Sequence, residues 1–119
     1  MNTEKLQEKI RQFVRDRDWE KYHDPKNLAM ALAGEVGELL EIFQWLTPDE
    51  SNQVMKDPKT ATQVRHELAD ICVYLLRLSD KLNVPLEEAI LEKLAINEKK
   101  YPTHLSKGVA TKYTDLKTD

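Results

Sequence analysis

Turn-forming residues are scarce in this sequence: 119 residues contain 3 glycines and 5 prolines. With no useful length of strand-like alternation, no internal repeat and no low-complexity segment, that scarcity points to an all-α chain rich in helix formers. A single cysteine, Cys72, leaves no internal disulfide to form, and its place inside the run Ile71 to Leu76 reads as a buried core thiol rather than a nucleophile. That run is the longest apolar stretch, far too short to span a bilayer, and the N-terminus MNTEKLQEKIRQ is charged from its start. A soluble, cytoplasmic protein is therefore expected. Positive charge is also short: the net charge is −3 and the pI about 5.7, which argues against a general binder of nucleic acid or of membrane surfaces. A local basic pocket is compatible with this balance. Ser-His-Asp and Cys-His sets, a P-loop and a glycine-rich phosphate cradle are all missing, which disfavours covalent and kinase-type mechanisms.

The length fits one domain with a real core. Thr3 precedes Leu6, Ile10, Phe13 and Val14 at helical spacing, predicting a first helix to about Arg15. After the polar stretch RDRDWEKYH, Asp24-Pro25 reads as a cap and first-turn proline opening a second helix to about Leu46. Thr47-Pro48-Asp49-Glu50 carries a capping box and predicts a short helix. Asp57-Pro58 opens a third long helix to about Leu82, and Pro85 a fourth that ends at Tyr101-Pro102. The expected architecture is thus a helical bundle of about four main helices over residues 1–103, with a polar arm over 104–119.

Within the second helix, the stretch GEVGELLE brings three carboxylates onto a core helix. At about 100° per residue, Leu28, Leu32, Val36, Leu39, Ile42, Phe43 and Leu46 share an arc that includes Glu35. Glu38 lies at its edge beside Trp45, and Glu41 turns to solvent. The third helix repeats the drawing: Val64, Leu68, Ile71, Leu75, Leu78 and Leu82 surround Glu67, with Asp70 at the edge beside Tyr74. If the two stripes pack together, four carboxylates converge, an arrangement that is costly without a compensating cation. An all-oxygen donor set favours Mg²⁺ or Mn²⁺ over Zn²⁺. Gly34 and Gly37, each costing about 1 kcal/mol in mid-helix, suggest close approach of another backbone, of a second subunit or of a substrate. In the fourth helix, Leu86, Ile90 and Leu94 mark the apolar side. Asn97 falls in that arc, with Lys93 and Lys100 beside it to offer charge to phosphate oxygens.

The stretches RDWEKYHDPKNLAMALAGEVGELLEIFQW, HELADICVYLLRL and KLAINEKKYPTHL, in this order, resemble the dCTP pyrophosphatase branch of the MazG-like all-α nucleotide pyrophosphohydrolases. The resemblance runs from about Phe13 to Leu116. It implies a helical bundle assembled as a homotetramer, a dimer of dimers, with sites near subunit interfaces. The implied activity converts a nucleoside triphosphate to monophosphate and pyrophosphate with Mg²⁺. Carried over residue by residue, it makes Glu35, Glu38, Glu67 and Asp70 the metal-binding acids. It assigns Trp19 and Trp45 to the base pocket, with Tyr74, Lys93 and Asn97 near the nucleotide. Trp19 lies in a polar connection without helical periodicity, which suits a stacking platform or a lid over the core. Where the resemblance implies a pocket histidine on the first helix, this chain has Ile10, and the base preference stays open.

On this reading Glu35 or Glu38 orients the water that attacks the α-phosphorus, while nucleic acid and membrane are not partners. Two rivals remain. A di-iron carboxylate bundle would use facing glutamates too, but its Glu-x-x-His pairs are missing, and His66, directly before Glu67, points elsewhere. A non-catalytic helical metal-binding or interaction protein would carry the acids as surface charge.

Overall fold

Local side-chain chemistry starts the helices. The computed structural model describes residues 1–110 and 112–115. Its first helix, α1 (Thr3–Asp16), is capped by Asn2, one residue before the expected start signal, with Lys5 N–H donating to Asn2 Oδ1 at 3.0 Å. Asp24 caps α2 (Pro25–Phe43) by accepting from Asn27 N–H at 2.8 Å. Thr47 and Glu50 form the expected capping box of α3 (Pro48–Ser51), each side chain accepting from the other's backbone N–H. Asp57 caps α4 (Pro58–Leu82), accepting from Thr60 N–H at 3.0 Å. The fourth long helix is α5 (Leu86–Lys100), followed by a short α6 (Thr103–Ser106). Short 3₁₀ turns occupy Glu20–Tyr22, Val54–Lys56 and Tyr113–Asp115, and there is no strand among the described residues. None of the described helices is long and apolar enough to cross a membrane.

Two boundaries differ from expectation. Helix α2 ends at Phe43, not near Leu46, because Pro48 forces Thr47 out of the helical region to ψ 162° and the chain must leave the helix before it. Beyond Tyr101, the stretch expected as a plain polar arm contains α6, whose Ser106 side chain donates to the Pro102 carbonyl. Residues 111 and 116–119 of that arm lie outside the described residues.

The chain divides into two compact units, Met1–Asn83 and Val84–Asp119. In the first, α4 is the central element: α2 packs along it and α1 packs against it. Their buried apolar side chains are Val14, Leu28, Val64 and Leu76. Much of the expected core is not covered. Val36, Leu68, Leu75 and Leu82 are exposed in the first unit, as are Ile90 and Leu94 of α5 in the second. Cys72 is half-buried, not buried. Gly34 and Gly37 receive no close approach from the described residues, since a Cβ at either would meet none of them within 4 Å.

Candidate metal centre

Packing α2 on α4 brings three of the four predicted acids together. Glu35, Glu38 and Glu67 each offer a carboxylate oxygen, and these atoms lie within 4.8 Å of one another. Glu35 and Glu67 are half-buried, and the Oε2 atom of each is buried with no hydrogen-bond partner among the described residues. An ionised carboxylate is an acceptor only, so buried oxygens of this kind in a set of converging carboxylates call for a proton or a cation. The electrostatics reflect this. Burial first, then the Glu67 and Glu38 carboxyl groups, then the charges of Glu38 and Asp70, push Glu35 up to about 7. Burial also raises Glu67, helped by Glu38 and Asp70, while its contact with Glu35 acts in the opposite direction.

Asp70 stands one turn beyond Glu67, exposed; its charge acts on both half-buried glutamates, but its oxygens are not in the converging set. Two unpartnered buried oxygens in a set made only of carboxylates fit a hard divalent cation of the Mg²⁺ or Mn²⁺ type.

The other predicted residues fall in both units, Trp19, Trp45 and Tyr74 in the first and Lys93, Asn97 and Lys100 in the second. Tyr74, half-buried, follows Asp70 by one turn of α4. Trp19, 41% exposed, packs edge-on against Phe13 with ring centroids 5.8 Å apart and donates its backbone N–H to the Val14 carbonyl. Trp45 follows α2 and is 85% exposed, so this chain alone does not enclose it. Lys93, Asn97 and Lys100 lie on α5 at i, i+4 and i+7, on one face of that helix, with Asn97 and Lys100 half-buried and Lys93 exposed.

Between α1 and α4 lies a cavity of about 580 Å³ walled by Leu6, Ile10, Phe13, Cys72, Val73 and Leu76. Its Ile10 occupies the position where the resemblance implies a histidine. Next along α4 from Leu76, Arg77 is buried and paired to Glu20 and His23. Spacing does not single out Arg77. Its one signal in the sequence is a charge set among Leu75, Leu76 and Leu78.

Residues 31–116 match the MazG-like family. The chain is similar to dCTP pyrophosphatase 1 of Mus musculus, 45% identical over 105 residues, and to that of Homo sapiens, 43% identical over 105 residues. These matches cover 88% of this chain and 62% of each relative, so the chain spans less than two thirds of those proteins' length. A pyrophosphatase crystal structure from Archaeoglobus fulgidus superposes with a TM-score of 0.79 at 43% identity, covering 86% of this chain and 94% of that one. An all-helical fold, the converging glutamates of α2 and α4, and a family match over 31–116 lead to one conclusion: the chain belongs to the MazG-like family.

Proposed function

We propose that this chain is a nucleoside triphosphate pyrophosphohydrolase that cleaves dCTP-like deoxynucleoside triphosphates to monophosphate and pyrophosphate with Mg²⁺. The observation that carries the reading is a converging set of three glutamates from α2 and α4, two of which hold a buried carboxylate oxygen without a partner among the described residues. Support also comes from relatives named dCTP pyrophosphatase 1 and from the similar archaeal pyrophosphatase.

Glu35, Glu38, Glu67 and Asp70 would hold Mg²⁺, with Mn²⁺ as an alternative; a divalent cation there supplies charge for phosphate oxygens and makes water a better nucleophile. Glu35 or Glu38 orients that water for in-line attack on the α-phosphorus and receives its proton. The bond to the bridging oxygen breaks, and pyrophosphate departs with the electron pair. Lys93 and Lys100 contribute positive charge for the phosphates, and Asn97 a hydrogen-bonding amide. Trp19 offers its indole to the base, with Trp45 and Tyr74 as further contacts. The apolar cavity containing Ile10 and Phe13 adjoins that end.

Residues 1–103 carry the pyrophosphohydrolase and 104–119 form an arm on this reading. The exposed apolar side chains of α4 and α5 suit burial in a homotetramer. Nucleotide-pool cleansing in the cytoplasm is the corresponding cellular role.

The decisive experiment measures pyrophosphate release from a panel of ribo- and deoxyribonucleoside triphosphates, with and without Mg²⁺, for the protein and for Asp70→Ala. Mg²⁺-dependent monophosphate formation, strongest for dCTP and its 5-modified forms and lost in the variant, is expected. Turnover centred on other triphosphates would keep the chemistry and discard the dCTP assignment. No turnover by folded protein would make the acid cluster a binding or structural feature.

A further inference from the structure

Arg77 is a charged side chain that the first unit holds out of water, with 3% of it exposed. A guanidinium is costly to bury unless its donors find partners. Here its Nη2 donates to Glu20 Oε1 at 3.0 Å and its Nε to His23 Nδ1 at 3.2 Å. Nη1 approaches Asp80 Oδ2 at 3.7 Å. For His23 Nδ1 to accept, the ring must be neutral with its proton on Nε2. Burial and then the charge of Arg77 favour that form by lowering the His23 pKa.

The two residues that Arg77 grips are the first residue of one short turn and the residue that follows it. The Glu20–Tyr22 turn has no side-chain cap of its own, and Asp18 before it sits in the left-handed region at φ 53°. Glu20 directly follows Trp19, and His23 directly precedes Asp24, the cap of α2. Arg77 therefore ties both ends of this turn to α4. The tie is itself braced: Arg11 of α1 donates to both Asp80 oxygens, at 2.7 and 3.0 Å, and Gln7 donates to Leu76 O and Ser79 Oγ. On α4, Asp70, Tyr74 and Arg77 follow each other at i, i+4 and i+7, so one stripe runs from the acids to the anchor, about 10 Å along the axis.

We propose that Arg77 is a positioning residue for the base end of the site: by holding Glu20 and His23 it locks the 19–23 turn and sets the Trp19 indole against Phe13. Nucleobase binding depends on it, and phosphate chemistry at the acids does not. This rests on the reading of Trp19 as the platform for the base.

The test compares Arg77→Met, Arg77→Lys and Glu20→Gln in the full chain. Steady-state kinetics with dCTP and Mg²⁺ are measured in the native background. Acrylamide quenching is measured in a Trp45→Phe background, where Trp19 is the remaining one of 2 tryptophans. Losing the charged pairs in Arg77→Met should raise KM about tenfold while kcat stays within about twofold. Trp19 emission should shift to the red and its quenching increase. Arg77→Lys keeps the charge but not the planar fork, so it recovers part of both effects. Glu20→Gln, changed on a half-exposed side chain, keeps the fold and shifts KM and quenching in the same direction by less.

Unchanged KM and quenching in folded Arg77→Met overturn the proposal, as does a loss confined to kcat. If Arg77→Met fails to fold by circular dichroism, unchanged KM and quenching in Glu20→Gln overturn it. Absence of turnover by the parent protein overturns the nucleotide reading and the role given to Arg77 with it. Trp19 quenching separates that result from a failure of the anchoring itself.

Discussion

Glu35 binds a proton more tightly in the folded chain, up to about 7, than at its ordinary value of 4.5. A raised folded pKa contributes stability that is full below the unfolded value and drains away as pH rises through the folded one. Glu67 is shifted in the same direction. With EDTA present, the melting temperature should therefore fall between pH 4.5 and about 7, and Mg²⁺ should restore it by replacing the proton with a divalent charge. Glu35→Gln should flatten the slope and abolish the Mg²⁺ effect. An equal slope in the variant, followed by scanning calorimetry, would assign the pH dependence to other groups. At this scale the acids were legible from the sequence because a carboxylate inside an apolar helical arc is a local anomaly. Arg77 was not, because its meaning depends on Glu20 and His23, 57 and 54 positions away along the chain.

Helix ends follow from neighbours within a few positions, which explains why Asp24, Thr47 and Asp57 could be read as caps. Replacing the cap of the helix that carries Glu67 and Asp70, Asp57→Ala, should cost about 1 kcal/mol in urea unfolding. No loss would mean that Thr60 N–H finds another acceptor. Gly34 gives a prediction of opposite sign. Its site is open among the described residues, so Gly34→Ala should stabilise α2 by about 1 kcal/mol through helix propensity. Destabilisation would reveal a second backbone lying against that face. The early end of α2 at Phe43 also has a local cause in Pro48, although the apolar periodicity continuing to Leu46 conceals it.

Across the molecule, helix stripes outnumber the surfaces that cover them. Leu28 and Val14 are sealed, 1% and 2% exposed, whereas Ile90, Leu91 and Leu94 of α5 remain open. Leu28→Ala should cost about 2–5 kcal/mol, the range for a sealed aliphatic side chain. If the proposed homotetramer buries this face of α5, Leu94→Asp should leave helicity intact yet shift the species seen by light scattering toward smaller assemblies, because charge on an apolar interface opposes association. An unchanged assembly would place the contact elsewhere. The sequence by itself determined the charge balance, the four long helices, the caps Asp24, Thr47 and Asp57, and the inward direction of Glu35 and Glu67, since the helical features depend on residues a few positions apart. Tertiary structure decided that Glu35, Glu38 and Glu67 meet while Asp70 stays at their edge. It also decided that Arg77 anchors the turn after Trp19. Both outcomes depend on how α1, α2 and the 19–23 turn dock on α4, and no periodicity along a single chain encodes that distance.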